Sequence, residues 1–217
     1  MNRFRPLTIF TIAMAYLEAA VVVYLRELYY PEGFDFPLKM TPTHITLIEI
    51  GREFTTIVML VAVGMLAGFS RWQKFAYFMY AFGLWDIFYY VWLKVLLNWP
   101  PSLFTWDVLF LIPLPWLGPV YAPMIVALTL ILAGIIIAHR EERGFHLHFT
   151  KLDWAWEVLA GFIIILSFIW NYPKTAHQEV PENYLWQLLL LGEVIGMLVF
   201  LRALGRSVVK ADGRKSD

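Results

Sequence analysis

The sequence predicts an all-α integral membrane protein with six transmembrane helices. The first observation is composition: of 217 residues, 60% are hydrophobic and 16% are charged, whereas soluble domains have about 45–50% apolar and about 25% charged residues. The second is the positive mean hydropathy of +0.63. The third is that the apolar residues are collected in long runs, and a spanning helix needs about 20 of them. An ordinary soluble domain and a disordered chain are therefore excluded.

Six segments are long and apolar enough to cross a bilayer. They cover residues 7–29, 44–69, 72–97, 122–139, 154–170 and 184–204. A further apolar stretch at 102–116 is flanked or interrupted by Pro100, Pro101, Pro113 and Pro115. Proline removes a backbone donor and breaks helices. We therefore expect a Pro-interrupted outer loop or half-inserted segment between the third and fourth helices, because irregular backbone at membrane depth needs protein or water around it.

The distribution of lysine and arginine predicts the orientation of these helices. Twelve of the 17 cations lie in residues 1–6, 70–74, 139–153 and 202–217, whereas the loops on the other side contain only Lys39 and Lys174. The positive-inside rule then places both termini in the cytoplasm (N-in, C-in), as an even number of spans requires. We predict a multi-pass protein of a cytoplasmic-type membrane, such as a cell inner membrane. Residues 1–205 form one helical bundle, and 206–217 form a polar cytoplasmic tail.

Ionisable residues interrupt the first three predicted helices. Such residues are costly in a bilayer and usually face the interior of a bundle. At 3.6 residues per turn, those on each helix share one face. The residues are Glu18 and Arg26 on the first helix, Glu49, Arg52 and Glu53 on the second, and Asp86, Tyr90 and Lys94 on the third. A rise of 1.5 Å per residue places the carboxylates at similar depths in the outer half of the membrane.

Two interpretations of this polar cluster remain open. Buried charges often pair for packing and topology, which would make the cluster a structural core. Alternatively, four carboxylates against three cations leave a surplus negative charge that favours a bound cation or proton. We favour an outward-facing pocket that binds or transports a small cationic or polar ligand or ion. The predicted ligand-binding residues are Glu18, Arg26, Glu49, Arg52, Glu53, Asp86, Tyr90, Lys94, Trp106 and Asp107.

A divalent metal is the second use considered for the cluster. Glu49 and Glu53 point the same way at i, i+4, and Glu18, Asp86 and His44 complete an oxygen-rich set of ligands. Such a site suits an intramembrane metal-dependent enzyme, although the Glu-x-x-His pairs of bundle di-metal sites are absent. A third possibility is an accessory structural subunit of a larger complex, whose apolar faces are covered by other membrane subunits.

Missing motifs exclude several other functions. The chain has no Gly-x-x-x-x-Gly-Lys-Ser/Thr loop, so we expect no nucleotide. It lacks paired histidines at haem-bridging positions, so we expect no intrinsic haem. It has no cysteine and a formal net charge of zero, which excludes thiolate metal sites and a basic surface for nucleic acid. The expected partners are the lipid bilayer, a small molecule or cation, and other membrane subunits.

Two glycine pairs predict close helix crossings. Gly64 and Gly68 lie near the inner end of the second helix, and Gly192 and Gly196 lie in the last. Glycines at i, i+4 let two helix backbones approach each other. Glu193 lies inside the second pair, and we expect a neighbouring helix to satisfy its carboxylate.

Overall fold

The structure is a computed structural model that describes residues 3–39, 42–176, 179–181, 183–206 and 208–209. The helices are α1 (Phe4–Tyr29), α2 (Thr43–Ala67), α3 (Arg71–Leu97), α4 (Tyr121–Glu142), α5 (Lys151–Ile169), α6 (Tyr172–Ala176) and α7 (Trp186–Gly205). The strands are β1 (Trp106–Phe110), β2 (Trp116–Pro119), β3 (Phe145–His146) and β4 (Val208–Val209). They form two small antiparallel sheets, β1 with β2 and β3 with β4.

Within the described residues, six helices, α1 to α5 and α7, are long and apolar enough to cross a membrane. The prediction of six spanning helices is confirmed, and each helix begins and ends within three residues of its predicted bounds. The chain is therefore a polytopic membrane protein by the length and composition of its helices. The side of the membrane on which the termini lie stays a prediction, and residues 207 and 210–217 of the predicted tail lie outside the described residues.

Local sequence signals fix where the helices begin and end. α3 starts with a capping box, in which Ser70 Oγ accepts a hydrogen bond from Gln73 N at 3.1 Å and the Gln73 side chain accepts from Ser70 N. α5 starts with the same arrangement between Thr150 and Asp153. Each box satisfies two backbone donors that a helix start leaves free. α3 ends at Asn98, which takes the left-handed conformation (φ 52°) common at helix ends.

α3 is the central helix and packs against α1, α2 and α4. Glycines bring these helices close together, as the sequence predicted for Gly64. A Cβ added at Gly64 would lie 2.8 Å from the backbone N of Phe78, and one added at Gly134 would lie 2.6 Å from the carbonyl oxygen of Ala76. Gly83 faces the carbonyl of Ala127 just as closely. A side chain at these positions would separate α3 from α2 or α4.

α5 and α7 pack as a pair on one side of the bundle. A Cβ added at Gly192 would lie 2.8 Å from the carbonyl oxygen of Ala160, which confirms the predicted close crossing. The pair has few contacts with the other helices. One link is a hydrogen bond of 2.8 Å from Thr129 Oγ1 on α4 to Glu193 Oε2. Glu193 is thus satisfied by a neighbouring helix, as predicted.

The Pro-interrupted segment folds as a β-hairpin of β1 and β2. Trp106 pairs with Pro119 and Asp107 with Gly118, and the register shifts between Val108 and Phe110. The hairpin lies at the end of the bundle where α1 and α3 end and α2 begins, hereafter the hairpin end. Its strands were not predicted, since the prolines obscure any alternation of apolar residues.

Candidate functional site

A cavity of about 220 Å³ lies at the hairpin end, among α1, α2, α3 and β1. α1 and α2 both pack against α3 and have few contacts with each other, which leaves room between them. The cavity is bordered by five carboxylates and three cations, a surplus of two negative charges. These residues are Glu18, Glu49, Glu53, Asp86 and Asp107, with Arg26, Lys39 and Arg52.

Arg52 connects two of the carboxylates. Its Nη1 pairs with Glu18 Oε1, its Nη2 lies 2.8 Å from Glu49 Oε2, and its Nε donates to the same oxygen at 2.9 Å. Thr56 Oγ1 donates to the other Glu18 oxygen at 2.9 Å. Arg52 and Thr56 lie four residues apart on one face of α2, so a single helix face satisfies Glu18. This network joins α1 to α2, and the two carboxylates neutralise the charge of Arg52.

Arg26 and Asp107 form a second, separate pair. Arg26 Nη2 lies 3.0 Å from Asp107 Oδ1, and the Tyr90 hydroxyl donates to Oδ2 at 3.3 Å. The Arg26 guanidinium also lies over the rings of Trp99 and Phe34, at 3.7 and 4.3 Å from their centroids, a favourable cation–π geometry. This pair fastens the hairpin to α1 and α3.

Asp107 is almost fully buried, with 1% of its surface exposed. Burial raises the pKa of this carboxyl to about 6, because a charge is poorly solvated there, although Arg26 and the hydrogen bonds from Val108 N and Tyr90 act in the opposite direction. The Arg26–Asp107 ion pair is therefore fully formed only above about pH 6. Below that pH the hairpin keeps the hydrogen bonds but loses the ionic attraction.

Among the described residues, two of the bordering carboxylates form no ion pair. Glu53 is 8% exposed, and its Oε2 accepts a hydrogen bond of 2.8 Å from the backbone N of Leu111, just beyond β1. Within the described part of the chain, no hydrogen bond or ion pair reaches the Asp86 carboxylate, and the Tyr89 hydroxyl has no hydrogen bond either. Both residues are half-buried and border the cavity, so their polar atoms can contact whatever occupies it.

Aromatic rings form the α3 side of the cavity. Trp85 stacks on Tyr89 with ring centroids 6.3 Å apart, and Tyr89 meets Tyr90 edge to face at 5.0 Å. Trp85, Tyr89 and Tyr90 all border the cavity. Ring faces attract cations, so the carboxylates and the aromatic wall favour the same type of ligand.

Eight of the ten predicted ligand-binding residues border the cavity, and two do not. The Nζ of Lys94 donates to the carbonyl oxygens of Asn98 and Pro100 at 3.3 and 3.0 Å, where it caps the end of α3. Trp106 packs edge to face on Tyr184, with centroids 6.1 Å apart. The roles of the eight bordering residues in binding stay predictions.

The structure does not gather the five predicted metal ligands. His44 is exposed at the start of α2 and does not border the cavity. Arg52 occupies the space between Glu18 and Glu49. Across the described residues, no three His, Asp or Glu side chains are grouped closely enough to hold a metal ion. The metal-dependent enzyme is left as a prediction without geometric support.

The position of Trp85 and Tyr89 within α3, beside Asp86 and Tyr90, predicts that their rings line a pocket, and both border the cavity. Two other bordering groups were not predicted, the Lys39 side chain and the Leu111 amide. The Leu111 contact depends on the register of the hairpin, which no pattern in the sequence reveals.

Comparisons of the chain with protein-family models, with curated protein sequences and with solved structures found no match. The six long apolar helices define the class, a polytopic membrane protein. Any more specific function has to be argued from the chemistry of the cavity.

Proposed function

We propose that the chain binds a small cationic ligand in the cavity at the hairpin end and moves it into or across the membrane. The observation that carries the proposal is the Asp86 carboxylate, which borders the cavity and has no partner among the described residues. An uncompensated carboxylate at membrane depth is costly unless something pairs with it. A cation from outside the chain is the simplest such partner.

The remaining groups support the same class of ligand. Arg52 pairs with Glu18 and Glu49, and Arg26 pairs with Asp107, so neither arginine forms its ion pair with Asp86. The aromatic wall adds cation–π attraction for an ammonium or guanidinium group. A volume of about 220 Å³ is below the roughly 300–1,000 Å³ of typical pockets for drug-sized molecules, which favours a ligand of a few heavy atoms.

Each charged residue then has a distinct role in this proposal. Asp86 is the counter-ion of the ligand, and the second oxygen of Glu53 accepts a further hydrogen bond. Glu18, Arg52 and Glu49 form a network that joins α1 to α2 beside the cavity. Arg26 and Asp107 hold the hairpin over the cavity. Under the predicted orientation the cavity faces the outer side of the membrane.

The first prediction concerns Asp86 and Glu53. We expect that small cations such as ethanolamine, choline or guanidinium raise the melting temperature of the purified chain in detergent. Asp86→Asn removes the counter-ion. It should lower the affinity for the cation that raises the melting temperature about tenfold or more, since a charge-assisted hydrogen bond contributes roughly 1.5–3 kcal/mol. Glu53→Gln should lower this affinity less, because the Glu53 carboxylate already accepts a hydrogen bond from the neutral Leu111 amide.

Glu27→Gln is the matched control, because Glu27 lies on α1 at the same end of the bundle, is exposed and does not border the cavity. It should bind the probe as the wild type does. If Asp86→Asn and Glu53→Gln leave every cation-induced shift unchanged, the cluster is structural and the proposal fails. Uptake of the same cation into proteoliposomes then separates a transporter from a binding protein.

A further inference from the structure

A second cavity, of about 580 Å³, lies at the opposite end of the bundle and shares no residue with the first. Its walls are apolar: Phe4 of α1, Ile135 and Ile136 of α4, and Phe145 of β3. Ile135 and Ile136 are 40% and 39% exposed, so an apolar chain in the groove can reach them. The groove therefore offers a long apolar surface on the outside of the bundle.

Two arginines and a histidine line the rim of this groove, at the end of α4. Arg143 is exposed, and in the described part of the chain its side chain has no ion pair or hydrogen bond. His139 is likewise exposed and borders the groove. Arg140 is held in place, since its Nη1 donates to the carbonyl oxygen of Leu204 at 3.1 Å. The rim therefore has a hydrogen-bonded arginine, Arg140, beside an arginine that is unpaired in the described part of the chain, Arg143.

The neighbouring acids do not neutralise this rim. Glu141 is 7% exposed, accepts a hydrogen bond of 2.7 Å from Ser70 Oγ and lies 2.9 Å from His146 Nδ1. Glu142 accepts a hydrogen bond of 3.3 Å from the Tyr77 hydroxyl. Both carboxylates bond to groups outside the groove, and neither borders it. The charge presented at the rim is positive.

The dimensions of the groove match the boundary of a bilayer. From Ile135 to Arg143, α4 rises about 12 Å at 1.5 Å per residue. Each headgroup layer of a bilayer is about 5–8 Å thick. With Arg143 at headgroup level, Ile135 and Ile136 lie beside the first carbons of the acyl chains. Under the predicted orientation this is the cytoplasmic leaflet, where anionic lipids are enriched.

We infer that this groove is a binding site for an anionic phospholipid. The phosphate lies at Arg143 and His139, and one acyl chain lies along Phe4, Ile135 and Ile136. Arginines at the rim lie next to the apolar walls of the groove, and this combination fits an anion attached to a hydrocarbon chain. A free phosphate would contact the rim alone, and a neutral lipid would contact the apolar walls alone. The inference is independent of the function proposed for the first cavity.

The test uses the full chain purified in detergent and titrated with phosphatidylglycerol or with phosphatidylcholine of the same acyl chains. Binding is read from thermal shifts and from lipid adducts in native mass spectra. We expect a preference for phosphatidylglycerol, which Arg143→Gln lowers about fivefold, the factor that one surface cation contributes towards anionic lipid. Arg202→Gln is the control, because Arg202 is an exposed arginine in the last turn of α7 that does not border the groove.

Four results would overturn the inference. They are a wild type without a preference for phosphatidylglycerol, an unchanged preference in Arg143→Gln, an equal loss in Arg202→Gln, and full competition by glycerol phosphate. The third result would indicate a diffuse surface charge, and the fourth a site for free phosphate. Arg143 is exposed, so its substitution is not expected to impair folding, and circular dichroism of each variant checks this.

Discussion

Arg52 decides the chemistry of the residues around it. Its direct ion pairs go to Glu18 and Glu49, and in the described part of the chain Glu53 and Asp86 form none. The Glu49–Arg52 contact is readable from the sequence, because residues three apart on a helix are neighbours. The Glu18 contact is not readable, since it depends on how α1 is rotated against α2.

Lys94 and Trp106 show where reasoning from one residue type fails. Lys94 was grouped with Asp86 and Tyr90 by helical spacing, but it lies in the last turn of α3, where unpaired carbonyls compete for its ammonium group. Trp106 and Asp107 were both predicted to bind the ligand. In a strand, successive side chains point to opposite faces, so only one of the two can face the cavity, and it is Asp107.

The second prediction is a pH dependence set by Asp107. Its pKa is raised by burial from 3.8 to about 6. Between these values the folded chain keeps a proton that the unfolded chain has released, so the free energy of unfolding falls as the pH rises through this window. Asp107→Asn has no group to titrate there. As the pH rises through this window, we expect the stability of Asp107→Asn relative to the wild type to increase by on the order of 2 kcal/mol.

Thermal unfolding of both proteins in one detergent, between about pH 4 and pH 7, measures this difference. Taking the difference removes the contribution of the other titrating groups that both proteins share. Parallel curves for wild type and Asp107→Asn would contradict the prediction. Asp107→Ala removes the acceptor of both Arg26 and Tyr90, and it should be destabilised by about 3 kcal/mol at neutral pH because a buried cation loses its partner.

At the scale of the elements, the helices follow from the sequence and the hairpin does not. Length and apolarity define a spanning helix with little ambiguity, and capping residues such as Ser70 and Thr150 mark the starts. The hairpin contains too few residues for a periodic signal. Its prolines exclude a helix but do not distinguish a loop from a pair of strands. Pro113 and Pro115 lie in the connection between β1 and β2.

The third prediction concerns the contact between α3 and α4. Gly83→Ala places a methyl group against the carbonyl of Ala127, which belongs to backbone and cannot move aside. We expect a loss of about 1–3 kcal/mol, as overpacked cores show, seen as a lower melting temperature in detergent. Gly161→Ala on α5 is the control, because a Cβ there has nothing within 4 Å. It should be neutral or gain up to about 1 kcal/mol.

If the two substitutions have equal effects, close packing at Gly83 does not hold α3 to α4. A result in which Gly83→Ala raises the melting temperature would mean that helix propensity outweighs contact at this position. Either outcome would remove the reason given for the central place of α3.

At the scale of the whole molecule, the number and order of spans were predictable but their arrangement was not. Consecutive helices joined by short loops are usually neighbours, and this holds for α2 with α3 and α3 with α4. It fails for α1 and α2, which both pack on α3. Gly64 lets α2 approach α3, and Gly83 and Gly134 let α4 approach α3. Which surfaces fit together in this way cannot be read from the spacing of residues along the chain.

The fourth prediction is the topology. The chain has no cysteine, so a single introduced cysteine is a unique reporter. Ser102 is exposed in the segment before β1, and His148 is exposed in the segment between α4 and α5. With both termini cytoplasmic, Ser102→Cys should react with a membrane-impermeant maleimide on intact cells, and His148→Cys only after permeabilisation. The reverse pattern would show that the orientation is inverted.

The two fastenings of the hairpin have a consequence for the cavity below it. The hairpin is held by Glu53, through the Leu111 amide, and by Arg26, through Asp107, and all three of these side chains border the cavity. A cation that draws the Glu53 carboxylate towards itself competes with the Leu111 amide for the same group. Binding of a cation in the cavity and attachment of the hairpin are then thermodynamically linked. By reciprocity, a change that loosens the hairpin also changes the affinity of the cavity for the cation.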